Sequence, residues 1–156
     1  MSKEMQQLSL PSPQKKASHL KKDGLVMWYN STNKSKQTAH DTPLFRATYK
    51  LYLAWYRRCE TLPKRDRYAI GQKTENLLLE IMTLVVAAYH TKDGSRKREI
   101  LSQINLKSES VKILLRLAKD VRAIEQQHYI DYESRLQEIG KMIGGWMRQT
   151  QSSSIG

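Results

Sequence analysis

From residue 44 onward, apolar side chains recur every three or four positions, in four runs separated by short polar breaks. That spacing matches the turn of an α-helix, so each run places its apolar residues on one face. A half-buried strand would need strict alternation, and no run shows it. Helices of this kind bury their stripes against one another, and short connections make successive helices antiparallel. The expected fold is all-α, an antiparallel up-down four-helix bundle.

The first run carries Leu44, Phe45, Thr48, Leu51, Tyr52, Trp55, Tyr56 and Cys59. Thr42 is suited to cap it and Pro43 to open it. Pro63 biases Leu62 away from helix, so the run should stop near Thr61. The second begins around Lys64 to Arg67 and carries Ile70, Thr74, Leu77, Leu78, Ile81, Leu84, Val85 and Ala88. Met82, Val86 and Tyr89 make it apolar over most of its circumference, which suggests a central position or an oligomer interface.

Asp93-Gly94 signals a turn. The third helix is expected from Ser95 to about Ala123, with Ile100, Leu101, Ile104, Val111, Leu114, Leu115, Ala118 and Val121 inward. Ser108 occupies a core place, and any kink belongs near Asn105 to Glu109. The fourth helix is expected over residues 126–149, striped by Tyr129, Tyr132, Leu136, Ile139, Ile143 and Trp146. Each glycine in a helix interior costs ~1 kcal/mol against alanine. Gly140 and Gly144, four apart, therefore suggest a close helix approach; the alternative is that Gly144-Gly145 loosens the last turns.

The flanks differ in composition. Residues 1–41 hold seven lysines against three acids and are rich in Ser, Gln and Asn. Too little apolar surface is available there to offset ordering entropy, so a disordered basic N-terminal extension is expected. An island within it, Leu25, Val26, Met27, Trp28 and Tyr29, is either a docking peptide or a short segment resting on the chain's own domain. The bundle is expected over 42–149, with a disordered C-terminal tail over 150–156.

Chemistry-bearing patterns are scarce. Cys59 is the single cysteine and lies on an apolar stripe, which suits an inert buried thiol and a reducing, cytoplasmic setting. His19, His40, His90 and His128 form no metal-ligand spacing. There is no phosphate-binding glycine loop and no acid pair placed for acid–base work. No catalytic residue, metal or cofactor is expected, and the chain reads as a non-enzyme. No apolar run approaches the ~20 residues of a membrane span, and the N-terminus lacks the apolar stretch of a secretion signal.

The charge is more informative. The chain carries 27 Lys+Arg and 15 Asp+Glu, a net +12, of which +8 falls after residue 41. Lys64, Arg65 and Arg67 cluster between the first two helices, near Arg57 and Arg58. Arg96, Lys97 and Arg98 open the third helix, against its macrodipole. Lys112, Arg116 and Lys119 share one face of that helix, with Arg122 close by. Charge runs are ordinarily solvated faces, yet a basic helical stripe can also track a phosphate backbone. No base-reading motif accompanies it, so recognition would rest on backbone and shape.

Three segments resemble the Avd-like four-helix-bundle family, the accessory variability determinants of diversity-generating retroelements. Leu62-Pro63-Lys64-Arg65-Asp66-Arg67-Tyr68-Ala69-Ile70-Gly71-Gln72-Lys73-Thr74-Glu75-Asn76-Leu77 is similar to the family's inter-helix signature, with Ile70 in place of the usual Leu. Leu114-Leu115-Arg116-Leu117-Ala118-Lys119-Asp120 resembles its third helix. Glu138-Ile139-Gly140-Lys141-Met142-Ile143-Gly144-Gly145-Trp146 resembles its C-terminal signature. The resemblance spans about residues 44–148. It implies a non-catalytic, barrel-like homopentamer that binds the element's reverse transcriptase and structured template RNA, in support of mutagenic copying. It also implies that Lys112 and Arg116 fall on the family's basic positions. The extension over 1–41 departs from the pattern. The alternatives are a bundle of the kind encoded in ribosomal-RNA intervening sequences, or a protein-binding adaptor with no direct nucleic-acid contact.

Overall fold

The computed structural model describes residues 37–152. The extension through residue 36, including the candidate docking island at 25–29, and residues 153–156 lie outside the described residues. After a 3-10 turn at Ala39–Asp41 come α1 (Pro43–Cys59), α2 (Gln72–His90), α3 (Gly94–Asp120) and α4 (Gln126–Ser152). One α-turn, Lys64–Asp66, and a π-turn, Arg67–Gly71, lead into α2. No strand occurs among the described residues.

Consecutive helices pack side by side, and α1 closes the ring against α4 along the thinnest seam. The register is antiparallel. Near one end, Arg58 meets His128 and the Tyr132 hydroxyl reaches the Ala54 carbonyl at 3.5 Å. Lys107 of α3 meets Glu80 of α2 at 2.5 Å. The up-down bundle expected from the four stripes is therefore the observed architecture.

Side-chain oxygens set the starts of α1 and α3. The Thr42 hydroxyl accepts from the Phe45 amide at 3.3 Å, and Asp93 accepts from the Arg96 amide at 2.6 Å. Such caps satisfy amide donors that have no partner within the helix. Thr48, Thr74 and Ser108 sit in the core because each hydroxyl donates to the carbonyl four residues back, at 2.9 Å. Ser108 thus fills a core place without an unsatisfied polar atom, and α3 passes residues 105–109 as unbroken helix.

Both later helices end elsewhere than expected. α3 stops at Asp120, three residues early, in a Schellman motif. The Ala123 amide donates to Ala118 O at 2.8 Å and the Arg122 amide to Lys119 O at 2.9 Å. Arg122 holds the left-handed position at φ 61°. Val121 is consequently 48% exposed rather than in the core. α4 continues to Ser152, past the expected stop at 149. Thr150 is buried, and its hydroxyl donates to Met147 O at 2.7 Å.

The glycines also divide. A Cβ at Gly71 would lie 3.1 Å from Cys59 Sγ and 3.3 Å from Leu62 Cδ1, so this glycine permits a close approach of α2 to α1. A Cβ at Gly140 would meet nothing within 4 Å, and one at Gly144 only the Arg148 side chain. The close helix approach expected at Gly140 and Gly144 is therefore absent within the protomer. α2 packs against both α1 and α3, and its Leu79 stays 44% exposed. An outward apolar stripe lies on α3, where Leu106, Ile113 and Leu117 are 69%, 68% and 44% exposed.

Candidate nucleic-acid interface

The up-down topology gathers four helix ends at each pole. One pole holds the C-termini of α1 and α3, the Lys64–Gly71 approach to α2 and the start of α4. The first basic cluster and the end of the third therefore share a pole. Arg96, Lys97 and Arg98, at the start of α3, stand at the opposite one.

The cations at the shared pole differ in what they touch. Arg57, Lys64, Arg65 and Arg122 are exposed, and among the described residues no carboxylate lies within ion-pair distance of them. Arg67 is engaged in the fold: its guanidinium donates to Glu60 O at 2.6 Å and Leu62 O at 3.2 Å, closing the inter-helix turn. Arg58 is turned towards α4, against His128 and Tyr132. Burial raises the Tyr132 hydroxyl above its ordinary value, partly opposed by the Arg58 hydrogen bond.

The α3 stripe is partly neutralised. Lys112 pairs with Glu109 at 2.7 Å, and Lys119 and Arg116 meet Asp120 at 3.1 and 3.9 Å. Lys119 also lies 4.9 Å from the Tyr129 ring centroid, a cation–π distance. Arg116 is the outward member, with 73% of its side chain exposed against 28% for Lys112 and 27% for Lys119. At the far pole Arg96 pairs with Glu99 at 2.7 Å, while Lys97 and Arg98 are half-buried.

Cys59 has little nucleophilic character. It is 6% exposed, and burial pushes its thiol up to about 12, with Glu75 adding to the shift. Among the described residues no group of three or more His, Cys, Asp or Glu gathers in metal-binding range, and no helix is long and apolar enough to cross a membrane.

A family model described as bAvd-like matches residues 44–150. The chain belongs to the bAvd-like family. No curated protein and no solved structure matches it. The bAvd-like match begins at the first core residue of α1 and ends in the last turns of α4, so it covers the bundle and stops short of the extension. Avd-like proteins are in general non-catalytic accessory proteins of diversity-generating retroelements. The bAvd-like inter-helix signature gains a physical reading from the fold. Leu62 and Ile70 are buried, Arg67 closes the turn, and Gly71 accepts the Trp55 indole N–H at 3.1 Å. Lys64 and Arg65 are left facing solvent.

Proposed function

We propose that this bAvd-like protein is a non-catalytic accessory subunit of a diversity-generating retroelement. It binds the element's reverse transcriptase and structured template RNA and supports mutagenic reverse transcription in the cytoplasm. The supporting observation is the pole at which Arg57, Lys64, Arg65 and Arg122 stand, among the described residues, without carboxylate partners, with the exposed Arg116 on the same helix as the approach to Arg122. Phosphates neutralised there release condensed counterions, which supplies affinity without base reading.

The assembly is proposed to be a homopentamer, as the family resemblance implies. The exposed Leu106, Ile113 and Leu117 support self-association, since apolar side chains gathered on one outward helix face mark interaction surfaces. A protein-binding adaptor is the second reading, favoured by the carboxylates that already engage Lys112 and Lys119.

Purification from cells carrying the complete element tests the proposal. Reverse transcriptase and template RNA should both accompany the tagged protein. RNA that survives removal of the reverse transcriptase supports direct contact. Capture of the enzyme with no RNA-dependent component contradicts it and leaves the adaptor.

A further inference from the structure

α1 carries a second surface that the basic residues alone do not describe. Phe45, Tyr49, Tyr52 and Tyr56 follow one another at spacings of four, three and four, which aligns them along one edge of the helix. At a rise of 1.5 Å per residue the row is about 16 Å long. Its rings form two near-parallel pairs: Phe45 and Tyr49 lie 6.4 Å apart at 11°, Tyr52 and Tyr56 6.0 Å apart at 28°. Tyr49 and Tyr56 keep 47% and 49% of their surface exposed, although the same helix buries Trp55 completely. The row runs into a hollow of about 240 Å³ beside Cys59, lined by Tyr56, Arg67, Tyr68 and Gln72. There Tyr68 is 65% exposed. About a third of a turn round the helix from Tyr49 and Tyr56 stand Lys50 and Arg57, with no carboxylate in ion-pair range among the described residues; Lys50 lines the groove towards α4 with Glu138 and with Arg46, which pairs with Asp41 at 3.0 Å.

We propose that this aromatic edge of α1 binds unpaired bases of single-stranded nucleic acid, with Lys50 and Arg57 taking the phosphates. Every base has a flat π-face, so tyrosines in a row make a sequence-tolerant stacking platform, and an adjoining line of cations tracks the backbone. Glu60 and Glu75 line the hollow as well. They exclude phosphate from it and suit the amino edge of an inserted base. Exposed tyrosines also serve protein interfaces, but a partner protein would gain nothing specific from the unpaired cations on the next face of α1 unless its own surface were acidic.

The inference rests on the nucleic-acid reading above and adds a site to it. The test measures binding of the full chain to a 20-nucleotide oligo(U), the matching oligo(dT) and an RNA duplex of equal length, across a range of salt. The variants are Tyr49→Ser with Tyr56→Ser, and Tyr49→Phe with Tyr56→Phe. Both tyrosines are half-exposed, so unchanged thermal melting certifies the fold. Stacking is worth enough that the serine pair should weaken single-strand binding at least tenfold. Its salt slope should not change, because no charge is removed, and duplex binding should hold. The phenylalanine pair should bind as the wild type does. Equal loss on duplex, or a phenylalanine pair as weak as the serine pair, overturns the stacking site. So does single-strand binding unchanged in both pairs. Duplex binding by the wild-type protein alongside any of these leaves the proposed function standing. Wild-type protein that binds none of the three oligonucleotides removes the stacking site and the phosphate-driven nucleic-acid contact together, and leaves the adaptor.

Discussion

At the residue scale, Cys59 and Arg122 show what periodicity reveals and what it does not. Cys59 sits eleven residues after Thr48 on the apolar stripe, and its burial was legible from that spacing alone. Its chemistry follows from burial. The native thiol is held up at about 12, against an ordinary 9.0. Above pH 9 the unfolded thiol ionises while the native one stays neutral. The stabilising contribution is therefore complete below that pH and is lost as pH rises towards 12. A thiol-reactive dye at pH 8 should label native protein far more slowly than urea-unfolded protein, and Cys59→Ala should flatten the alkaline decline in stability. Equal labelling rates would refute the inert assignment. Arg122 was not legible, because arginine has no preference for the left-handed region and nothing else in the sequence marks the turn. A non-glycine residue at φ 61° carries a steric penalty. Arg122→Gly should raise stability by about 1 kcal/mol, read from the urea midpoint, while removing one unpaired cation. Loss of stability would mean that the Arg122 side chain holds the end of α3.

At the element scale, the four helices were legible because each stripe repeats for at least four turns. Their internal irregularities were not. The π-turn at Arg67–Gly71 leads into α2 where the Cys59 and Leu62 side chains close over Gly71, a tertiary contact with no local signature. The glycines of α4 show the converse. Their spacing suggested a packing face, yet space lies open over Gly140 in the protomer. Two alanine substitutions should thus move in opposite directions. Gly71→Ala should cost about 1–3 kcal/mol, as overpacking against Cys59 and Leu62 does. Gly140→Ala should gain up to about 1 kcal/mol from helix propensity. Chemical unfolding of both variants checks the contrast. A destabilised Gly140→Ala protein would show that something outside the protomer packs on that face.

At the scale of the whole molecule, the up-down topology sorts the charge. Which basic clusters exist is plain from the sequence, but which of them meet depends on the direction of each helix. Lys64 and Arg65 share a pole with Arg122 only because α1 and α3 run the same way. Ion pairing is equally hidden. Lys112, Arg116 and Lys119 look equivalent by spacing, whereas Arg116 alone reaches well into solvent. The family resemblance survives this sorting because its signature residues are mostly structural: Leu62, Ile70 and Gly71 are buried and Arg67 closes a turn.

The central claim is that this pole binds RNA through its phosphates. It is tested most directly by titrating salt against binding to a structured RNA, comparing wild type with the triple variant Lys64→Ala, Arg65→Ala, Arg116→Ala. Each lost phosphate contact should flatten the slope of log K against log salt by roughly 0.7–0.9. The three substitutions together should therefore lower it by about 2 to 3 and weaken binding at low salt. Equal affinity and an equal slope in the two proteins would contradict the account.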